Sequence, residues 1–161
     1  MVVDVSRGQP DVSFVVPTYN SEQTIAACLN SLVNQIGAVV EVIVVDNAST
    51  DSTQRLVEQF PVRLLCTGPE RSAQRNAGLR EAQADIVVFI DSDMMCELTL
   101  ASQLRDRFAP RCCCGVIPEV SFGKGYLAAA RVLDRSVHVG NELVEAARAF
   151  SRADLLTLGG F

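Results

Sequence analysis

The feature that most constrains the fold is a run of five apolar residues, 86–90, that ends in two carboxylates. The run reads Ile-Val-Val-Phe-Ile, which is typical of a strand buried on both faces of a parallel sheet. Asp91-Ser92-Asp93 follow it directly, and side chains two residues apart on an extended chain can converge on one cation. Because ligands of open α/β sheets bind outside the carboxyl ends of the strands, the pattern predicts a divalent-metal site for a phosphorylated ligand. The alternative is that Asp93 caps a helix and Asp91 is a solvated turn residue.

Strand and helix patterns alternate four times over the first 108 residues. Apolar, largely β-branched runs predict strands at 12–16, 39–45, 62–66 and 86–90. Helical spacing predicts a helix over 25–36 that Gly37 ends, a short helix through Phe60, one at 70–84 with a small-residue face, and one at 97–108. The alternation is that of a doubly wound, mostly parallel α/β sheet with helices on both faces.

Three local signals predict where the first of these elements begin and end. Pro17 should stop the first strand, because proline cannot donate a hydrogen bond to a central sheet ladder. Asn20 with Gln23 resembles a capping box for the first helix. Asp51 with Gln54 has the spacing to cap the second.

The alternation stops beyond Pro110. The pattern there predicts a strand at 112–120, a glycine-rich loop at 121–125 and a helix at 126–137, while 145–150 fits either a strand or a helix. Ser151 is expected to cap a last helix at 153–158, which Gly159-Gly160 closes. No repeat or low-complexity linker divides the chain, so residues 1–161 are predicted to form one domain.

Composition and charge narrow the class of partner. The net charge is −5, from 14 basic and 19 acidic residues, which argues against a nucleic-acid surface. No apolar run approaches about 18 residues, and residues 1–10 lack the core of a signal peptide, so a cytoplasmic location is expected. The six cysteines have no metal-like spacing and are expected to be reduced thiols.

Three predicted strands end in polar turns: Pro17-Thr18-Tyr19-Asn20, Asp46-Asn47 and Asp91-Ser92-Asp93. Carboxyl ends of parallel strands share one edge, so these turns should meet in one crevice. With Arg75-Asn76-Ala77-Gly78, and in this order and spacing, they resemble the nucleotide-sugar half of inverting family 2 glycosyltransferases of the GT-A fold. The resemblance spans Val12 to Met95, and a weaker match continues at 145–148 and 158–161.

The resemblance implies a Rossmann-like sheet whose residues 12–95 bind a nucleoside-diphosphate sugar, with a UDP-sugar as the favoured donor. Pro17 and Tyr19 would line the nucleobase pocket. Asp46 and Asn47 would hold the base and the ribose. Asn47 stands where the family often has a second acid, and an amide can donate as well as accept, which leaves the identity of the base open.

The resemblance also implies how the diphosphate and a metal ion are held. Arg71 or Arg75 would bind the diphosphate, because a guanidinium matches phosphate geometry. Asp93 would ligate a Mg²⁺ or Mn²⁺ that bridges the two phosphates, and Asp91 would hold the sugar or assist the metal.

Inversion further requires a base that deprotonates the acceptor hydroxyl. The family takes it from a Glu-Asp pair beyond the Gly-Gly-aromatic segment, and this sequence ends at Phe161, so we expect a complete donor half and a partial acceptor half at 110–161. The remaining titratable candidates are better explained as surface or structural residues: Asp134, His138, Glu142, Glu145 and Asp154.

Two functions of different classes follow. The first is metal-dependent transfer of a sugar to the hydroxyl group of an acceptor, which is a saccharide or a lipid-linked molecule. Peripheral association with a membrane is compatible with this function. The second is a non-catalytic nucleotide-sugar-binding remnant or fragment that lacks the base. A phosphoacceptor receiver domain would need an acidic pair after the first strand, and residues 17–20 contain no acid.

Overall fold

The computed structural model describes residues 8–108, 113–120 and 147–161. Its strands are β1 (Val12–Thr18), β2 (Val40–Asp46), β3 (Arg63–Cys66), β4 (Ile86–Phe89), β5 (Cys114–Val116) and β6 (Ala147–Ser151). Its helices are α1 (Ile25–Val33), α2 (Thr53–Val57), α3 (Arg71–Glu81), α4 (Leu100–Arg107) and α5 (Arg152–Thr157). None of these helices has the length and apolar composition that a membrane span requires.

The strands form one mixed sheet in the order β3-β2-β1-β4-β6-β5. The four strands β1 to β4 pair in parallel, and β6 runs antiparallel to both β4 and β5. The mostly parallel α/β sheet predicted from the sequence is therefore confirmed. The strands β2, β1 and β4 are adjacent and run parallel, so their carboxyl ends lie at the same edge of the sheet.

Helices cover both faces of the sheet. On one face α1, α2 and α4 pack on alternate residues of the central strands, among them Phe14, Val44 and Val88. On the other face α3 and α5 pack on the residues between them, among them Val15, Val45 and Val87. Every residue of β1 and β4 is buried, which explains their continuous apolar runs.

The prediction that Pro17 ends the first strand is wrong, since β1 continues to Thr18. The backbone carbonyl of Val15 accepts a hydrogen bond from Ile90 N, so the backbone polar groups of Val15 point towards β4. Because these directions alternate along a strand, the backbone nitrogen of Pro17, two residues further on, also points towards β4. The β1–β4 ladder has ended at Val15 and Phe89. The missing N–H of Pro17 therefore removes no hydrogen bond between β1 and β4. On the other side, β1 remains paired with β2 as far as Thr18 and Asp46.

The first helix also differs from its prediction at both ends. It begins after Thr24, without a side-chain cap, because Asn20 adopts a positive φ of 47° and its Oδ1 accepts a hydrogen bond from Thr50 N at 2.9 Å instead. It ends at Val33 rather than near Gly37. Tertiary contacts draw the chain away there, since Ile36 N donates to Leu98 O at 2.7 Å.

Beyond residue 110, some of the observed elements agree with the predictions from the sequence and others differ. Residues 147–151 form a strand, so the choice left open for 145–150 falls to strand within the described residues. Ser151 caps α5 as predicted, its hydroxyl accepting from Asp154 N. The strand predicted at 112–120 is reduced to β5. The predicted loop at 121–125 and helix at 126–137 lie outside the described residues.

Gly78 determines how closely α3 approaches β1. A Cβ atom at residue 78 would lie 2.3 Å from Cγ1 of Val15 and 3.0 Å from its Cγ2. The buried residues of α3 are Gln74, Gly78 and Leu79, and Ala77 packs on the same core cluster, so the small-residue face predicted for this helix includes Gly78, where α3 comes closest to Val15.

We predict that Gly78→Ala lowers the free energy of unfolding by about 1–2 kcal/mol, because overpacking against Val15 outweighs the gain in helix propensity. Urea denaturation measures the change. Gly8→Ala is the control, since a Cβ there meets nothing within 4 Å. Equal or greater stability of Gly78→Ala would show that α3 does not pack this closely on the sheet.

Candidate functional site

A cavity of about 530 Å³ opens at the carboxyl ends of β1 and β4. Its wall is formed by the loop after β1, by the start of α3 and by the turn after β4. The lining residues that were predicted from the sequence are Pro17, Tyr19, Arg71, Asp91 and Asp93; Thr18, Gln74 and Asp51 also line it. The structure thus brings five of the predicted site residues into one concave surface.

Hydrogen bonds tie the loops after β1, β2 and β4 to one another. Ser21 N donates to Thr53 Oγ1 at 2.7 Å, and the hydroxyls of Ser21 and Ser92 share a hydrogen bond of 2.9 Å. These bonds fix the loop after β1, in which Tyr19 is 57% exposed beside the cavity. A large, flat, accessible ring at such a position can cover a planar ligand group.

Asp46 and Asn47 do not line the cavity. The buried carboxylate of Asp46 accepts hydrogen bonds from Ser49 N at 2.8 Å, Ser49 Oγ at 2.5 Å and Gln54 Nε2 at 2.6 Å. Asn47 Nδ2 donates to Pro69 O at 3.0 Å, and its backbone N donates to Thr18 O at 3.0 Å. In this conformation both side chains fix the loop after β2. Gln54 is therefore bound to Asp46 rather than forming the predicted helix cap.

Asp51 contributes a further carboxylate to the cavity wall, besides Asp91 and Asp93. Its Oδ1 accepts hydrogen bonds from Thr53 N at 2.9 Å and Thr53 Oγ1 at 2.5 Å. Burial raises the pKa of Asp51, whereas the hydrogen bonds from Thr53 and from Glu22 N lower it. The hydrogen bonds outweigh burial, so the net pKa is below the ordinary value. Asp51 therefore remains ionised and holds the loops after β1 and β2 together.

Asp91 is surrounded by three arginines. Its Oδ1 lies 3.9 Å from Arg71 Nη1 and 3.6 Å from Arg75 Nη2, and its Oδ2 accepts a hydrogen bond from Arg148 Nη1 at 3.2 Å. Arg148 also pairs with Glu119. Both oxygens of Asp91 are thus turned towards cations, and β6 contributes a residue to a site otherwise built from β1, α3 and β4.

The pKa values of two of these arginines shift in opposite directions. Burial is the main cause that lowers the pKa of Arg75; Asp91 raises this pKa, nearby Arg71 and Arg148 lower it, and the net pKa is below the ordinary value. Burial also lowers the pKa of Arg148, but its bonds to Glu119 and Asp91 outweigh burial, so the net pKa is raised. Arg148 is a compensated ion, whereas Arg75 is a cation with incomplete compensation.

Asp93 differs from Asp91 although it lies only two residues away. It is exposed and makes no hydrogen bond or ion pair to any residue in 8–108, 113–120 or 147–161. Within those residues no group of three or more His, Cys, Asp or Glu side chains could enclose a metal. Mg²⁺ commonly binds through one or two carboxylates together with phosphate oxygens and water. The donor set therefore fits an ion that arrives with a phosphorylated ligand.

Besides Asp51, three contributors to the site were not predicted from the sequence. Gln74 Nε2 donates to Thr18 O at 2.9 Å and to Val45 O at 2.6 Å, so it joins the ends of β1 and β2. The buried hydroxyl of Thr18 has no partner among the described residues, which usually costs about 1–3 kcal/mol. Arg148 lies in a segment that could be read as helix or strand, and only its weak family match pointed to it.

Comparisons with known proteins agree with this architecture. Residues 13–131 match the sequence profile described as Glycosyl transferase family 2. The succinoglycan biosynthesis protein ExoO of Rhizobium meliloti is 43% identical over 89 residues, which cover 52% of this chain and 26% of ExoO. The poly(ribitol-phosphate) β-N-acetylglucosaminyltransferase TarS of Staphylococcus aureus is 40% identical over 92 residues, 50% of this chain and 16% of TarS.

Solved structures show the same fold. The mannosyltransferase PcManGT of Pyrobaculum calidifontis, in complex with GDP-Man and Mn²⁺, superposes with a TM-score of 0.62 and 30% identity over 96% of this chain and 48% of that one. S. aureus TarS in complex with UDP-GlcNAc superposes with a TM-score of 0.60 and 25% identity over 92% and 47%. These similarities confirm the GT-A-like fold.

The chain spans about a quarter or less of the length of these two curated relatives. The family profile, by contrast, covers most of the chain and includes β1 to β5 and the whole cavity wall. The chain belongs to glycosyl transferase family 2.

Proposed function

We propose that the cavity binds a nucleoside-diphosphate sugar together with Mg²⁺ or Mn²⁺, and that the chain is the donor-binding part of an enzyme that transfers the sugar to a hydroxyl with inversion. One observation carries the proposal: an accessible aromatic ring, an exposed guanidinium and a carboxylate without a partner among the described residues face the same cavity. A UDP-sugar is the favoured donor, since TarS has been solved with UDP-GlcNAc. PcManGT, solved with GDP-Man, keeps guanosine as the other candidate base.

The nucleoside would lie against the loop after β1. Tyr19 and Pro17 offer the base apolar contact area. Asp46 and Asn47 would serve the base and ribose by holding the loop after β2 in shape, since their side chains are engaged in that loop.

The diphosphate would lie between α3 and the turn after β4. Arg71 is 70% exposed and only 3.9 Å from Asp91, so it can turn towards a phosphate without breaking a hydrogen bond to a described residue. Asp93 would be the principal carboxylate ligand of the metal ion. When bound, the ion would neutralise charge that builds up on the departing nucleoside diphosphate. Asp91, held by its three arginines, would orient the sugar or assist at the metal.

The acceptor base remains unassigned. Asp154 is exposed at the start of α5 and serves as a favourable charge there, and the other candidates lie outside the described residues. The hydroxyl acceptor, saccharide or lipid-linked, and the cytoplasmic location with peripheral membrane association stay predictions.

Calorimetric titration with UDP and with GDP, in Mn²⁺ and in EDTA, tests the donor site. We expect metal-dependent binding of one of them. Incubation with the matching nucleotide sugar and assay for the released nucleoside diphosphate then separates the two functional classes. Turnover identifies an enzyme, whereas binding without turnover identifies a donor-binding unit. Absence of binding by both nucleotides would contradict the proposal.

We predict that Asp93→Ala weakens binding of the nucleoside diphosphate at least ten-fold in Mn²⁺ and leaves the residual binding in EDTA unchanged. The free energy of unfolding should change by less than about 0.5 kcal/mol, because the side chain is exposed. Asp106→Ala is the control, since Asp106 is an exposed acid on α4 outside the cavity. Equal affinity of Asp93→Ala in Mn²⁺ would remove Asp93 from the metal site.

We predict that Tyr19→Ala weakens nucleotide binding about five-fold or more, both with and without metal, because stacking of a base on an aromatic ring contributes about 1–3 kcal/mol. Tyr19→Phe keeps the ring and should bind within about two-fold of the unsubstituted chain. Calorimetry in Mn²⁺ and in EDTA measures both. A loss confined to the Mn²⁺ titration would place Tyr19 away from the base.

A further inference from the structure

Two hydrogen bonds between the side chain of Asn76 and the backbone of Phe161, here called the clasp, hold the segment Gly160-Phe161 against α3. Asn76 Nδ2 donates to Phe161 O at 3.0 Å, and Asn76 Oδ1 accepts from Phe161 N at 2.9 Å. Gly160 has a φ of +85°, and a Cβ there would lie 2.2 Å from Asn76 Oδ1. Both the conformation and the space at residue 160 therefore require glycine, and the clasp determines where the Phe161 ring lies.

The Phe161 ring packs edge-to-face on two other rings. Its centroid lies 4.9 Å from that of Phe89 in β4 and 5.8 Å from that of Phe150 in β6, with interplanar angles of 83° and 85°. Phe161 nevertheless remains 47% exposed. Two contacts fix the orientation of the ring, while nearly half of its surface is left out of the core.

The face of this ring carries the guanidinium of Arg75. The distance from Arg75 Cζ to the ring centroid is 5.3 Å, within the range of a cation–π interaction. On its other side Arg75 Nη2 lies 3.6 Å from Asp91 Oδ1. Arg75 forms no hydrogen bond to the described residues, and its Nε is buried without a partner among them.

Arg75 shares Asp91 with two other cations. Arg148 donates a hydrogen bond to the same carboxylate, and Arg71 approaches it to 3.9 Å. Like charges around one carboxylate repel each other, so Asp91 alone is a weak restraint on Arg75. The ring is the second restraint that keeps the guanidinium beside Asp91.

We propose that Phe161 is a positioning residue of the donor site, which acts through Arg75 on the carboxylate of Asp91. The proposal rests on the function proposed above, because Asp91 lines the cavity assigned to the nucleotide sugar. Removal of the aromatic face leaves Arg75 free to leave Asp91, and the carboxylate then loses one of the three cations that fix its orientation. A ring that does not line the cavity thus tunes the binding of the donor.

The test compares Phe161→Leu with Phe161→Trp in the full 161-residue chain. Leucine keeps apolar packing but has no aromatic face, whereas tryptophan gives the strongest cation–π partner. We expect Phe161→Leu to raise the Kd about three- to ten-fold in Mn²⁺. The nucleotide measured is UDP, or GDP if that is the one the chain binds. Phe161→Trp should remain within about two-fold. Leu158→Ala, at a side chain that is 80% exposed on the same segment, is the control and should leave the Kd unchanged.

Two further measurements separate positioning from simple packing. In an Arg75→Met background, Phe161→Leu should cause no additional loss, because the residue through which the ring acts is gone. In NMR spectra of the free chain, the Arg75 Nε–H resonance should lose its ring-current shift in Phe161→Leu and keep one in Phe161→Trp.

Several results would overturn the inference. They are unchanged binding by Phe161→Leu, equal losses for leucine and tryptophan, and a loss that persists in the Arg75→Met background. If the unsubstituted chain binds neither UDP nor GDP, the proposed function falls and takes this inference with it. If that chain binds and Phe161→Leu binds equally well, the inference alone fails.

Discussion

The site depends on the ionic interactions between the carboxylate of Asp91 and three arginines. Three guanidinium groups, from α3 and β6, surround a single carboxylate at the end of the central strand β4, and Glu119 supplies the only other anion that pairs with them in the described residues. Without Asp91 the arginines would repel each other in a partly buried environment. With it, two carboxylates balance most of the charge of three guanidinium groups, and because Glu22, Asp51 and Asp93 also line the cavity, a diphosphate there would require an accompanying cation.

Two aspartates separated by one serine have acquired different environments. Asp91 is partly buried and both of its oxygens face arginines, whereas Asp93 is exposed and unpaired among the described residues. A carboxylate already occupied by cations is a poor primary metal ligand, and an unpaired one is a good ligand. The two carboxylates therefore have different environments, which arise from neighbours on α3 and β6, and this difference is why we propose Asp93 as the metal ligand.

Much of the fold could be predicted because the central strands are buried on both faces. Runs such as 86–90 have to be apolar throughout, and the alternation with helical spacing then leaves few arrangements. The errors lie where a distant partner competes with a local signal. Asn20 binds Thr50 rather than capping α1, and Pro17 stays in β1 because the neighbouring ladder has already ended. Five of the predicted site residues line one cavity, while Asp46 and Asn47 are engaged in their own loop.

The sequence by itself determined the alternation of strand and helix, the position of polar residues at the strand ends and the order of motifs that resembles family 2 glycosyltransferases, since all of these depend on local composition and spacing. The tertiary structure alone decided which of the two carboxylates is paired within the described part of the chain, brought Arg148 of β6 to Asp91 at the end of the neighbouring strand β4, and placed Phe161 over Arg75. These features depend on contacts between residues up to 86 positions apart, and local spacing contains no information about partners at that distance.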